Sequence, residues 1–158
     1  MGWGNPILLL LGVLALLLVS AGIEDLRRRE IANWKNIAIA VLAPVWWWAN
    51  GLQPWPDMAL QIASALIVFG LFCIAFARGW MGGGDVKMIG ALALWCIAVG
   101  ALAWLLIVMS LVGGLLTIVL MIDRKRLPSD AEIEVPYGVA IAVAAFFAIH
   151  QPILNQLR

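Results

Sequence analysis

A chain of 158 residues that is 65% hydrophobic and only 12% charged, with a formal net charge of +1, is too apolar for a soluble domain, in which about a quarter of residues are charged. The net charge argues neither for nor against nucleic acid, no basic stretch interleaved with aromatics suggests it, and none is expected as a partner. The composition is that of a polytopic membrane protein. At roughly 20 residues per crossing of a hydrocarbon core about 30 Å thick, the length accommodates about six spans and no separate soluble domain.

The first apolar run covers 5 to 23. Ser20 and Ala21 are small enough for a signal-peptide cleavage site. However, no Lys or Arg precedes the run and the positive charges follow it, the reverse of a secretory signal, so it is expected to stay as helix 1. A charged connection follows, "EDLRRREIANWK", Glu24 to Lys35. The second run, 36 to 50, ends in Trp46, Trp47 and Trp48, and Gly51 to Asp57 leads into the third, 58 to 77. Then comes "RGWMGGGDVKMIG", residues 78 to 90, which sets three glycines, Asp85 and Lys87 between two apolar stretches. The fourth run, 86 to 99, is short: its 14 residues rise about 21 Å as a helix, less than a full crossing. A tight turn near Gly100 precedes the fifth run, 101 to 122, and after Asp123 to Val135 the sixth covers 136 to 152.

In lipid only a helix or a closed barrel satisfies every backbone group, and these runs lack the polar alternation of barrel strands. The expected fold class is therefore all-α, a single polytopic domain over 1–158 with six transmembrane helices. Cys73 and Cys96 lie inside apolar runs and read as buried hydrophobes rather than a disulfide or metal pair, so no metal site is expected.

Charge orients the helices. Arg27, Arg28, Arg29 and Lys35 lie in the first connection, Arg78 and Lys87 around the third, and Arg124, Lys125 and Arg126 in the fifth; the second and fourth have none. The positive-inside rule then places odd connections in the cytoplasm and both termini outside, with nine of the ten basic residues obeying it and Arg158 the exception. Trp3, Trp46, Trp47, Trp48 and Trp55 cluster near the expected outer interfaces, where an amphipathic ring sits well. The single histidine, His150, falls near the outer end of helix 6.

This topology sets Asp25, at the inner end of helix 1, and Asp85, at the inner start of helix 4, at one membrane depth. Two close carboxyls cannot both ionise; one keeps a proton and polarises a carbonyl while the other activates water, the chemistry of an aspartic protease. Gly82, Gly83 and Gly84 lack a β-carbon, which frees the backbone around Asp85 for positive φ and for close approach of a substrate strand or helix. Lys87 could tune the pair or position substrate, and Pro136, Tyr137 and Gly138 could line a cleft where helix 6 begins. Plainer readings stand beside these: an N-cap with a snorkelling lysine, an interface charge at Asp25, a proline in the first turn of a helix, and Asn33 holding a loop hydrogen bond or, the favoured choice, capping helix 2. Asp130, Glu132 and Glu134 are expected to form a solvated loop. Glu24 and Glu30 are rival carboxylates, and spacing does not select Asp25 over them; if Asp25 is the catalytic one, Glu24→Gln and Glu30→Gln leave substantial activity.

At these residues the chain resembles the type IV prepilin peptidases, GxGD-type aspartic proteases of the bacterial inner membrane. The similarity lies in Gly82, Gly84, Asp85 and Lys87 of "GGGDVK", in Asp25, Arg29, Ile31 and Asn33 of "DLRRREIANW", and in "VPYGVAIAVAA", Val135 to Ala145. It implies that Asp25 and Asp85 are the catalytic pair, with no cofactor. It further implies that the substrates are prepilin or pseudopilin precursors, cleaved at the cytoplasmic face after the Gly that ends a short basic leader, ahead of an apolar helix lying in the bilayer. The loop of Asp130, Glu132 and Glu134 could meet that basic leader. Ala32 stands where the family usually has Pro. The cytoplasmic insert with two CxxC pairs found in larger members is absent, and with it any basis for expecting their N-methyltransferase activity; the compact form looks like the small peptidases of tight-adherence (Flp-type) pili. The contrasting reading is a non-catalytic membrane assembly or transport component that binds a cation or proton through the two Asp residues.

Overall fold

The computed structural model describes residues 6–28, 30–97, 99–123 and 137–156. Six α-helices stand over the six apolar runs: α1 Pro6–Arg28, α2 Asn33–Ala49, α3 Ala59–Ala77, α4 Gly83–Ala93, α5 Val99–Asp123 and α6 Tyr137–Gln156. A single helical turn, Pro54–Met58, leads into α3. There is no strand among the described residues. Three segments are long and apolar enough to cross a bilayer: Pro6–Arg28, Pro54–Ala77 and Gly100–Ile122.

The apolar surface is turned outward as well as inward. Leu9, Leu16, Leu66, Leu71 and Leu111 all lie more than half exposed on the outer faces, an area of bare hydrocarbon that water would not tolerate and lipid solvates. The inner set, including Leu14, Ile39, Met88, Ile89, Leu92, Leu105 and Ile141, is fully enclosed. Most of it gathers round α4, which lies against α2, α3 and α6; α1 lies against α2 and α6, and α5 against α6.

Helix α4 corrects the boundaries expected from hydropathy. It starts at Gly83, takes Gly84 and Asp85 into its first turn, and stops at Ala93; its 11 residues rise only about 16 Å. The chain then leaves the helix at Leu94–Ile97, so the break falls there and Gly100 lies inside α5. A helix that ends among apolar side chains exposes carbonyls with no water to take them. Side chains supply the donors instead. The Gln61 amide donates to the carbonyls of Ala93 (2.8 Å), Leu94 (3.2 Å) and Cys96 (2.8 Å). The Trp47 indole donates to Leu94 O at 2.6 Å and the Trp46 indole to Trp95 O at 3.1 Å. Trp95 in turn stacks on Trp46, ring centroids 5.4 Å apart, and donates to Ile39 O at 2.9 Å.

Trp46 and Trp47 are therefore buried structural donors, not members of an interfacial belt. Their neighbours Trp48 and Trp55, 81% and 80% exposed, do face outward. Trp3, Arg29, Arg124, Lys125, Arg126, Asp130, Glu132, Glu134 and Pro136 lie outside the described residues, as does the side chain of His150.

Candidate active site

Asp25 and Asp85 are both buried, 5% and 8% exposed. Asp25 sits in the last turn of α1, where the helix continues past the apolar run through Glu24 to Arg28. Its Oδ2 accepts the backbone N–H of Gly138 at 2.9 Å, in the first turn of α6. A helix's first N–H groups have no partner within the helix, so a carboxylate is well placed to take one. Gly138 has to be glycine for this contact: a β-carbon there would stand 2.9 Å from Asp25 Cγ and Oδ2, and 2.9 Å from Ile31 Cδ1.

Asp85 is the third residue of α4, and its Oδ2 lies 3.1 Å from where a β-carbon on Gly82 would be. None of Gly82, Gly83 and Gly84 uses positive φ; among the described glycines, Gly51 and Gly79 do. What the three glycines provide is closeness. A β-carbon on Gly83 would meet the Phe76 ring at 3.2 Å, and one on Gly84 would meet Ile31 Cβ at 3.4 Å. Ile31, itself buried, thus touches Gly84 beside Asp85 with one end and Gly138 beside Asp25 with the other. The two aspartates are brought together through this side chain and the start of α6.

Asp85 precedes the apolar run 86 to 99 and lies outside the three membrane-crossing segments. Burial raises its pKa, the nearby Asp25 charge adds to the rise, and together they push it up to about 7. An acid at that value holds its proton near neutrality while a neighbour is ionised.

Of the rival carboxylates, Glu24 has other employment. Glu24 Oε2 pairs with the Lys35 ammonium at 2.8 Å and accepts the Ala32 N–H at 3.1 Å, while Lys35 also donates to Ser20 O at 2.9 Å. This staple closes the connection that carries Ile31, tying the end of α1 to the start of α2. Glu30 is exposed. Of the three acids in that segment, Asp25 alone is buried beside Asp85.

Lys87 does not reach the pair; its ammonium donates to Asn33 Oδ1 at 2.8 Å. The cap expected at Asn33 is likewise corrected. Ala32 is the N-cap of α2, with no side-chain hydrogen bond, and Asn33 is committed to Lys87. The Tyr137 ring lies against Gly113 of α5, where a β-carbon would come within 3.0 Å of it. Sequence reasoning missed Asn36, whose amide donates to Gly84 O at 3.2 Å and so holds the residue next to Asp85. Its signal was an amide one helical turn beyond Asn33, at the edge of an apolar run.

These features define an all-helical membrane protein with a pair of carboxylates buried where α1, α4 and α6 begin or end. Compared with known families, the chain matches the type IV leader peptidase family over residues 12–120, a stretch that holds both aspartates. The chain belongs to that family, which makes it a protease acting on leader-bearing precursors. Comparison with curated proteins and with solved structures finds no match.

Proposed function

We propose that this protein is an aspartic endopeptidase that removes the leader of Flp-type prepilins or pseudopilins, cutting after Gly at the cytoplasmic face of the bacterial inner membrane. The observation that carries the reading is the burial of Asp25 and Asp85 on either side of Ile31, within electrostatic reach of each other.

In this mechanism Asp25, held by the Gly138 N–H, takes the role of base and Asp85 that of acid. Asp25 takes a proton from water as its oxygen attacks the scissile carbonyl carbon. Asp85 gives its proton to the carbonyl oxygen, so the tetrahedral intermediate forms without a free oxyanion. When the C–N bond breaks, the proton held by Asp25 passes to the leaving amine, and Asp85 recovers its own as the carbonyl reforms. The reaction needs no nucleophilic side chain and no histidine. Inward placement of the site follows from the basic connections on either side of it, 27 to 29 and 78 to 87.

The test is separate replacement by the neutral isostere. Asp25→Asn and Asp85→Asn, each expressed in membranes with a prepilin precursor, should each abolish leader removal as read by mass. Normal cleavage by either variant would remove that residue from the pair.

A further inference from the structure

A second feature adjoins the aspartates without including them. Between α2 and α3, floored by α4, runs an open trough of about 700 Å³. Along α2 it is lined from Asn33 to Trp47, a stripe that rises about 21 Å, some four turns of helix and about two thirds of a hydrocarbon core. Gly90 and Ala91 lie on its floor, with the Phe69 ring close against Gly90, and Leu66 forms part of the far wall. Its polar lining residues, Asn33, Asn36 and Lys87, stand at one end, next to Gly84 and Asp85; the remaining lining is hydrocarbon and aromatic. At that end Asn36 Oδ1 is buried and has no hydrogen-bond partner among the described residues, an acceptor that costs free energy until something donates to it.

We propose that this trough seats the apolar helix of the precursor, so that the scissile segment leaves the helix at Asn36 and Lys87, next to the turn that carries Asp85. The inference rests on the peptidase reading and extends it to the substrate subsite. A peptide running off a helix end in extended form carries an unpaired backbone N–H, which is what Asn36 Oδ1 lacks; a lipid tail has no donor to offer. The apolar length of the trough matches the face that a helix would lay into it, the helix-in-groove mode of recognition. The Asn36 bond to Gly84 O then couples occupancy of the trough to the turn that carries Asp85.

The experiment uses the full chain carrying Asp85→Asn, reconstituted in phosphatidylethanolamine and phosphatidylglycerol vesicles. The partner is a precursor peptide comprising a leader ending in Gly and an apolar helix of about 20 residues. A photoactivatable diazirine residue is placed at Ile37 or Leu66, both exposed on the rims of the trough, or at Leu16, exposed on α1 as a control. Adducts between peptide and Ile37 or Leu66 should exceed those from Leu16 several-fold. In the otherwise unmodified enzyme, Ala40→Trp should raise KM for the precursor several-fold more than Leu16→Trp does. Adducts with lipid alone at Ile37 and Leu66, or equal yields at all three sites, would overturn the trough proposal while leaving the peptidase reading intact. Failure of the unmodified enzyme to cut the precursor would bring down both.

Discussion

Gly138→Ala is the sharpest probe of the site, because it adds one carbon at the point where α6 supports Asp25. The added β-carbon would stand 2.9 Å from Asp25 Cγ, Asp25 Oδ2 and Ile31 Cδ1, whereas non-bonded carbons settle at about 3.5–4.0 Å. Roughly 0.6–1.1 Å must therefore be found by moving the start of α6, turning the carboxylate, or both. Asp25 and Ile31 are buried, so neither can swing into open space. Overpacking of this kind costs about 1–3 kcal/mol of stability. The larger effect is expected in turnover: displacement of a reacting group by about 1 Å costs about 100-fold in rate, equivalent to about 2.7 kcal/mol of barrier. The assay is kcat/KM for precursor cleavage by purified enzyme, with the thermal midpoint in detergent measured alongside. Gly12→Ala and Gly70→Ala, where a β-carbon meets nothing within 4 Å, are the controls and should change kcat/KM little. A Gly138→Ala enzyme with normal kcat/KM would refute the assignment of Asp25 to the reacting centre, whatever its melting point.

The pH profile of kcat/KM should be bell-shaped, with activity falling as pH rises through about 7, where Asp85 loses its proton, and falling again in acid as the ionised partner is neutralised. A rate that is flat from about pH 5 to about pH 9 would contradict a shared-proton pair. Because the folded-state pKa of Asp85 is raised above its ordinary 3.8, its burial costs stability progressively as pH rises from the unfolded value towards about 7. Asp85→Asn should thus raise the thermal midpoint on the alkaline side while abolishing cleavage. Glu24→Gln, which the sequence alone expects to be mild, should lower the thermal midpoint by leaving the buried Lys35 ammonium without its carboxylate. Lys35→Met on top of Glu24→Gln should recover part of the loss, and an unchanged midpoint in the single variant would dismiss the staple. Trp47→Phe removes the indole donor to Leu94 O, which keeps its bond from Gln61, and should cost about 0.5–1.5 kcal/mol in denaturation, whereas Trp48→Phe, at an 81% exposed position, should be neutral.

The helices were legible because lipid imposes long apolar runs, and each run has a helix over it. The limits of α4 were not, since hydropathy registers Gly83, Gly84 and Asp85 as a break while the backbone continues through them as a first turn. Where that helix stops was equally hidden: Gln61 is a lone amide in the third apolar run, and its three carbonyl partners come from a segment more than thirty residues later. The tryptophans misled for a related reason, as one indole can anchor at an interface or donate inside a bundle, and only tertiary position distinguishes the two. At the site, charge scarcity and topology narrowed the candidates to Asp85 and the acids in and after the last turn of helix 1. They could not choose Asp25 over Glu24, because that choice depends on Lys35 folding back across the connection to claim Glu24. Asn36, and the way Ile31 joins the parts, show themselves only in three-dimensional contact.

The capping of α4 by Gln61, Trp46 and Trp47 also works as a depth gauge. From Asp85 to Ala93 the helix spans eight steps, about 12 Å, and its far end is bolted to two neighbouring helices rather than left to float against acyl chains. A thicker or thinner membrane can tilt the outer helices, yet the acid at the near end keeps a constant height above those bolts. On the proposed mechanism, the level at which a peptide bond is met is therefore set by the protein rather than borrowed from the lipid around it.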